Sequence, residues 1–165
     1  MDKPGYCYKK KLCTRTEITD IAAKLKADNK KVAFTNGCFD ILHRGHIHYL
    51  RESRKLGDAL IIGLNSDESV RRLKGESRPV NTQNDRAYLL EALDFVDYIV
   101  VFNEDTPLKL IQELKPDYYI KSGDYNMDNV IGPGLGSDLV ESYGGRVVIM
   151  DLVTGYSSTS IINHK

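Results

Sequence analysis

The sequence has no excess of charge of either sign. Its 165 residues include 23 Lys and Arg and 23 Asp and Glu, so the formal net charge at pH 7 is zero. Proteins that bind nucleic acid or anionic membranes through a broad electrostatic field carry a basic excess, which this chain lacks. Any anionic ligand must therefore be bound by local groups.

Long hydrophobic runs and paired cysteines are also missing. No stretch reaches the roughly 18 apolar residues of a membrane-spanning helix, and the N-terminal MDKPGYCYKKKLCTRTE lacks the apolar segment of a signal peptide. The three cysteines, Cys7, Cys13 and Cys38, form an odd set without paired spacing. We therefore expect free thiols in a reducing cytoplasm.

Short apolar runs alternate with amphipathic segments along the chain. The length suits one domain, residues 1–165, in which residues 1–15 are expected to form a loose lead-in and Thr16 to cap the first helix. The predicted strands are KVAFTN, DALIIGLN, DYIVVF, DYYIK and GRVVIM, and a last helix is expected from about Ser158 to Ile162. This pattern predicts a three-layer, Rossmann-like α/β fold with a doubly wound parallel sheet of five strands.

A cluster of histidines follows the first of these strands, in the stretch TNGCFDILHRGHIHYL. In such a sheet, ligands bind outside the carboxyl ends of the strands, where the strand order reverses. Zinc is disfavoured because Gly45 separates His43 from His46 at the start of a helix, and His48 faces away from His46. We expect His48 to be structural or incidental.

A phosphate site explains His43 and His46 better than a metal or the core does. The N-terminus of a helix presents unpaired N–H groups and a partial positive charge, which together attract anions. Gly45 allows a ligand to approach the backbone closely, and two imidazoles can donate hydrogen bonds to phosphate oxygens. Neither a dinucleotide-binding glycine motif nor a P-loop stands at this turn.

These residues resemble the motifs of a known superfamily. His43-Arg44-Gly45-His46 fits the H-x-G-H motif of nucleotidyltransferases, and the preceding TNGCFD resembles their first-strand segment. Three further stretches, RLKGESRPVNTQNDRAYLLEAL, FNEDTPLKLIQELKPDYYIKSGDY and GYSSTSII, resemble bacterial D-glycero-β-D-manno-heptose 1-phosphate adenylyltransferases. The arginine of the R-T-E-G-I-S-T-T motif of glycerol- and choline-type cytidylyltransferases is missing from LVTGYSSTS, which favours the heptose branch.

The resemblance implies a cytoplasmic, homodimeric enzyme that makes ADP-heptose and pyrophosphate from ATP and the heptose 1-phosphate, with Mg²⁺, for lipopolysaccharide synthesis. It implies the form without a kinase domain. The runner-up is another sugar- or alditol-phosphate nucleotidyltransferase, such as glycerol-3-phosphate cytidylyltransferase, and a non-catalytic nucleotide-binding module is a third alternative. No nucleic acid or membrane partner is expected.

The candidate site residues come from the strand ends and from the matching motifs. Lys74 is expected in a flexible loop, where it could reach a phosphate, and Arg86 is either a ligand group or half of a surface ion pair. Phe39 is expected in the core, and Asp40 is expected to brace the loop. The predicted catalytic residues are His43, His46 and Lys74; the nucleotide-binding set is Thr35, Asn36, Gly37, Cys38, Phe39, Gly45, Asn65, Asp67, Arg86, Gly123, Asp124, Ser157, Ser158 and Thr159.

Overall fold

The computed structural model describes residues 10–122, 136–151 and 161–162. Strands and helices alternate through most of this part of the chain. In chain order the elements are β1 (Leu12–Cys13), α1 (Arg15–Ala27), β2 (Val32–Gly37), α2 (Arg44–Arg54), β3 (Ala59–Asn65), α3 (Asp67–Lys74), α4 (Gln83–Glu91), β4 (Tyr98–Phe102), α5 (Leu108–Leu114), β5 (Tyr118–Ser122), α6 (Ser137–Ser142) and β6 (Arg146–Met150).

The strands form one parallel sheet in the order β1-β4-β3-β2-β5-β6. From β2 the chain runs outward through β3 to β4 and then returns to the other side of β2 with β5. The strand order therefore reverses between β2 and β5, and the carboxyl ends of these two strands flank the crevice where doubly wound sheets bind ligands. The predicted parallel, doubly wound sheet is confirmed.

The predicted number of five strands is wrong, because the described residues contain a sixth. Leu12 and Cys13 pair with Ile99 and Val100 of β4 as a two-residue edge strand. The backbone N–H groups of Lys11 and Leu12 both donate to the Glu91 carboxylate, at 2.9 Å each. The part of the lead-in from residue 10 onward is thus built into the sheet; residues 1–9 lie outside the described residues.

Two apolar clusters cover the two faces of the sheet. One contains Ile18 of α1, Ile111 of α5 and Val140 of α6, and the other contains Leu50 of α2 and Leu90 of α4. All seven residues of β3 are buried, as expected for a central parallel strand covered on both sides. This arrangement confirms the predicted three layers.

The first helix begins earlier than the sequence analysis predicts. Thr14, not Thr16, is its N-cap, since Thr14 accepts from the Glu17 backbone and Glu17 accepts from the Thr14 backbone. The prediction of Thr16 is wrong because only Thr14 has a glutamate three residues later, as this reciprocal capping box requires. The predicted last helix lies mostly outside the described residues.

Candidate functional site

The junction between β2 and α2 lies at the reversal of strand order. His43 is the N-cap of α2, with an extended backbone, and its Nδ1 accepts a hydrogen bond from the Gly45 N–H at 3.1 Å. Because Nδ1 acts as an acceptor, the neutral ring carries its proton on Nε2. Burial lowers the pKa of His43, so the ring is neutral at pH 7 and has one N–H left to donate.

His46 lies in the first turn of α2 and stacks on His43. The ring centroids are 3.9 Å apart with an interplanar angle of 26°, and the Phe39 ring meets the other side of His46 edge-on at 5.3 Å. Burial, followed by the proximity of His43 and Lys74, lowers the pKa of His46 to about 4. The backbone of Ile41 opposes this pKa shift, yet His46 Nδ1 makes no hydrogen bond of normal geometry to the described residues. Both imidazoles are therefore neutral hydrogen-bonding groups in the free protein.

Phe39 and Gly37 shape the turn that leads to this histidine pair. Phe39 has a φ of +45°, a left-handed conformation that is uncommon for a bulky side chain, and the residue is only 6% exposed. A Cβ at Gly37 would lie 3.0 Å from the Phe39 ring, so this position needs glycine for close packing. The expectation that Phe39 belongs to the core is confirmed.

Lys74 is the last residue of α3 rather than part of a flexible loop. The loop prediction is wrong because the helix continues to Gly75, whose φ of +94° ends it. The side chain of Lys74 is exposed; its charge helps to lower the pKa of His46 and opposes the rise in the pKa of Cys38. Lys74 is thus within electrostatic reach of the β2–α2 junction.

Burial dominates at Cys38 and raises the pKa of its thiol, which argues against a nucleophilic role.

Arg86 on α4 is a buried anchor: the ion pair of the second alternative forms, with Asp67, but the arginine lies in the interior and not at the surface. Its side chain is 0% exposed and donates to the Cys38 carbonyl at 2.6 Å, the Asn81 carbonyl at 3.1 Å and the Asp67 carboxylate at 2.8 Å. One guanidinium thereby ties the turn after β2 to the start of α3. The fork of five N–H donors suits arginine to this task.

Asp40 braces the neighbouring loop, as expected from the sequence. Its carboxylate accepts from the Arg78 guanidinium at 2.6 Å and from the backbone N–H groups of Val80 and Asn81 at 2.8 and 3.0 Å. These hydrogen bonds hold the pKa of Asp40 below its ordinary value despite the opposing effect of burial. The loop before α4 is therefore fixed against the turn that carries the histidines.

Two further candidate residues make hydrogen bonds within the fold. Thr35 Oγ1 lies 2.6 Å from the Tyr49 hydroxyl, which donates to the Ile120 carbonyl on β5 at 2.9 Å. Asn65 Nδ2 donates to Ser69 Oγ at 2.9 Å. These contacts position α2 and α3 at the carboxyl edge of the sheet. The candidates Gly123, Asp124, Ser157, Ser158 and Thr159 lie outside the described residues.

Sequence reasoning missed Lys121 at the end of β5. It is the only lysine that is buried among the described residues, and its Nζ donates to Asn36 Oδ1 at 3.1 Å. The same oxygen accepts from the Tyr119 hydroxyl at 3.0 Å. Burial lowers the pKa of Lys121 to about 8. The available signal was a lysine at the end of the predicted strand DYYIK.

The described part of the chain contains neither a metal-binding cluster nor a membrane-spanning helix. Within residues 10–122, 136–151 and 161–162, no group of three His, Cys, Asp or Glu side chains is placed to hold a metal ion. In the same residues, no helix has the length and apolar character to cross a membrane.

Comparison with known proteins gives a family for this arrangement. Residues 34–164 match the family described as cytidylyltransferase-like. The chain belongs to this family. The match begins within β2 and includes both histidines, and it bears out the expectation of a nucleotidyltransferase.

Similar curated proteins carry the name Bifunctional protein HldE. The protein from Syntrophotalea carbinolica is 53% identical over 94% of this chain, and that from Geobacter sulfurreducens is 54% identical over 88%. These alignments cover 31% and 29% of the two relatives, so the chain spans about a third of their length. The predicted resemblance to this group is confirmed for the third of the relatives' length that the chain covers.

Solved structures agree on the fold. A lipopolysaccharide core biosynthesis protein from Thermoplasma volcanium is 33% identical, with a TM-score of 0.61, over 78% of this chain and 99% of that one. A pantoate-beta-alanine ligase from Francisella tularensis has a TM-score of 0.63 over 93% of this chain and 76% of that one. The ligase is only 16% identical, so this second likeness concerns the fold alone.

Proposed function

We propose that the chain transfers AMP from ATP to D-glycero-β-D-manno-heptose 1-phosphate and releases ADP-heptose and pyrophosphate. The observation that carries this proposal is the stacked pair His43 and His46 at the N-terminus of α2, directly after the central strand β2. The curated relatives and the lipopolysaccharide-related structure support the choice of a sugar-phosphate acceptor.

The reaction needs alignment and charge stabilisation more than it needs a base. An oxygen of the sugar 1-phosphate attacks the α-phosphorus of ATP, the new P–O bond forms, and the bond to the pyrophosphate oxygen breaks. The attacking oxygen is already anionic, so no proton has to be removed from it. Fixed donors that face the developing charge can lower the barrier by several kcal/mol.

The two histidines suit this task because they are neutral. His43 has its Nδ1 occupied by the Gly45 N–H, which leaves Nε2–H to donate to a phosphate oxygen. His46 has a pKa of about 4 and therefore also remains uncharged at pH 7 before ATP binds. The N-terminus of α2 adds its partial positive charge. Lys74, at the end of α3, supplies an exposed positive charge within electrostatic reach of His46 and binds the attacking and α-phosphates.

Arg86 contributes indirectly in this mechanism. Its guanidinium is buried and donates to protein acceptors, among them the Cys38 carbonyl and the Asp67 carboxylate. It holds the turn after β2 in place while the backbone of Asn36 to Phe39 borders the nucleotide. Ser157, Ser158 and Thr159 remain predicted ligands of the β- and γ-phosphates through the N-terminus of the last helix.

Magnesium enters the reaction as part of the MgATP substrate. The carboxylates of Asp40 and Asp67, at the strand ends, accept hydrogen bonds from Arg78 and Arg86. Because both carboxylates are already bound to arginines, we expect the metal to be held chiefly by phosphate oxygens and water, as is common for Mg²⁺ with nucleotides. The ion would neutralise part of the triphosphate charge.

Three further expectations remain predictions. They are a single domain over residues 1–165, a homodimer and a cytoplasmic location. Gel filtration with light scattering measures the mass of the particle, and cell fractionation measures its location.

A panel of nucleotides and acceptors tests the proposal. Pyrophosphate release is measured with ATP or CTP, each combined with heptose 1-phosphate, glycerol 3-phosphate or no acceptor. We expect release only with ATP and heptose 1-phosphate, with ADP-heptose identified by mass spectrometry. Release with CTP and glycerol 3-phosphate instead, or no release with any pair, would overturn the proposal.

A further inference from the structure

A cavity lies at the edge of the sheet where the strands begin, and we call it the amino-edge cavity. Its volume is about 340 Å³, and segments 29–31, 115–117 and 143–145 line it together with Lys26. These segments directly precede β2, β5 and β6. The six residues of β2 span roughly 17–20 Å, which separates this cavity from the histidines at the carboxyl ends of the strands. A ligand bound here is therefore distinct from a nucleotide bound in the crevice.

The lining of the amino-edge cavity is positive, although the chain as a whole has no net charge. It contains one carboxylate, Asp117, and four lysines: Lys26, Lys30, Lys31 and Lys115. The Asp117 carboxylate accepts from Lys31 Nζ at 2.8 Å and from the Val32 N–H at 2.9 Å. Lys30 Nζ lies 3.7 Å from the Asp58 carboxylate. Two lysines of the cavity are thus paired, and its single carboxylate is already bound.

The other two lysines form no ion pair with the described residues. Lys26 is half-buried and Lys115 is exposed, and neither ammonium lies within ion-pair distance of a described carboxylate. Burial lowers the pKa of Lys26; the more distant charge of Asp117 opposes this shift and the charge of Lys115 adds to it. Lys26 and Lys115 therefore face the same space and repel each other, which an anion between them would relieve.

The cavity also contains a buried hydroxyl without a partner. The hydroxyl oxygen of Tyr143 is buried and makes no hydrogen bond to the described residues. Burial, together with the charge of Asp117, raises the pKa of Tyr143, so the hydroxyl keeps its proton and remains a donor. Buried polar groups are nearly always hydrogen-bonded. An unpaired donor beside two unpaired ammonium groups indicates an acceptor that a ligand supplies.

The backbone of Lys115 supports a role for its side chain. Lys115 is the C-cap of α5 and has a φ of +45°, a left-handed conformation in which glycine is the usual residue. Gly144, in the corresponding position after α6, has a φ of +86°. Because a glycine would end α5 without strain, termination of the helix does not explain a lysine at this position.

Stabilisation of the helix ends is the alternative explanation for these lysines. Lys26 lies in the last turn of α1 and Lys115 caps α5, where cations offset the partial negative charge of a helix C-terminus. This role requires neither a cavity nor an unpaired tyrosine hydroxyl. An anion site uses the cavity, the hydroxyl and both ammonium groups.

We propose that the amino-edge cavity binds a small phosphate anion, either inorganic phosphate or pyrophosphate. Lys26, Lys115 and Tyr143 supply the donors, and a phosphate group offers enough oxygens and negative charge to accept from all three. Asp117 stays bound to Lys31 and to the start of β2. The anion would connect the ends of α1, α5 and α6 and would stabilise the folded state by mass action.

Calorimetric titration tests the proposal with inorganic phosphate and with pyrophosphate, at constant ionic strength. We expect Lys26→Met to weaken binding by about tenfold or more, the usual effect of one charge-assisted hydrogen bond. Lys24→Met is the matched control, because Lys24 is exposed on the same helix and does not line the cavity. It should weaken binding by less than about twofold. The tighter of the two probes shows whether the site prefers one phosphoryl group or two.

Two further variants test the site without removing a contact that the fold needs. Lys115→Gly relieves a left-handed lysine, and Tyr143→Phe removes a hydroxyl without a partner. Without phosphate, both should therefore have a Tm at or above that of wild type. We expect phosphate binding to weaken by about tenfold in Lys115→Gly and about threefold in Tyr143→Phe. The rise in Tm that phosphate gives wild type should shrink in both variants.

Pyrophosphate is also a product of the proposed reaction and can bind at the histidines, so each titration is repeated in a His46→Ala background. We expect the binding to the cavity to persist there. Binding that disappears in His46→Ala but is unchanged in the cavity variants overturns the proposal. So do equal losses in Lys26→Met and Lys24→Met, or no binding of either probe to wild type at about ten millimolar, a Kd at which association contributes only a few kcal/mol. None of these outcomes decides the proposed transfer of AMP, which the nucleotide panel measures separately.

Discussion

Replacement of His46 by alanine removes the imidazole that packs between His43 and Phe39. In the proposed mechanism this ring donates to a phosphate oxygen whose charge increases toward the transition state. Loss of one such fixed donor typically costs about 10²–10³-fold in kcat, or about 2.7–4 kcal/mol of transition-state stabilisation. We therefore expect His46→Ala to lower the kcat for ADP-heptose formation by about 10²–10³-fold.

The same change should leave the fold intact. His46 Nδ1 has no hydrogen bond of normal geometry to the described residues, so its removal leaves no partner of that atom without a hydrogen bond. We expect a loss of about 1 kcal/mol in the free energy of unfolding, a common value for a point mutation.

Pyrophosphate release at saturating ATP and heptose 1-phosphate gives kcat, and circular dichroism during urea unfolding gives the stability. His48→Ala is the matched control, because His48 is exposed and lies two residues further along the same helix. A kcat of His46→Ala within a few-fold of wild type, or an equal loss in His48→Ala, would refute the reasoning.

Three further predictions concern stability. Arg86→Met should destabilise the fold by about 3–5 kcal/mol, because it leaves a carboxylate and two carbonyls without their donor. Urea unfolding measures this loss. Arg71→Met, a control at an exposed position, should cost less than about 0.5 kcal/mol. Equal losses of stability in Arg86→Met and Arg71→Met would contradict the role of Arg86 as a buried anchor. Tyr49→Phe removes a hydroxyl that bridges β2 and β5 and should cost about 1–3 kcal/mol; a negligible change in the urea midpoint would argue against the bridge. Burial lowers the pKa of His46 to about 4 from an ordinary 6.5, so the unfolded chain binds more protons between these values and stability falls as the pH is lowered from 6.5 to 4. This loss of stability at low pH should be smaller in His46→Ala than in wild type. Coincident curves of stability against pH for wild type and His46→Ala would disprove the prediction.

Much of the fold could be predicted because its determinants are local. The run in β3 is apolar at nearly every position, as a strand with both faces covered requires. The strand at Leu12–Cys13 was missed because two residues show no alternation. Its place depends on pairing with β4 and on contacts with Glu91, which are distant in sequence, and no local pattern reveals such contacts.

The site also contains residues that the local sequence predicts and residues that it does not. His43 and His46 could be placed from the glycine between them and from the strand before them. The roles of Arg86 and Lys121 depend on burial and on partners distant in sequence, which no local pattern encodes. Arg86 meets Cys38, 48 residues away, and Lys121 meets Asn36, 85 residues away. Lys74 was assigned to a loop because the glycine after it was taken as part of that loop rather than as the end of α3.

A crystal structure with magnesium and a non-hydrolysable ATP analogue tests the central claim most directly. The account predicts phosphate oxygens within hydrogen-bonding distance of the His43 and His46 rings, in front of the first turn of α2. A triphosphate bound elsewhere, with both rings directed away from it, would contradict the account.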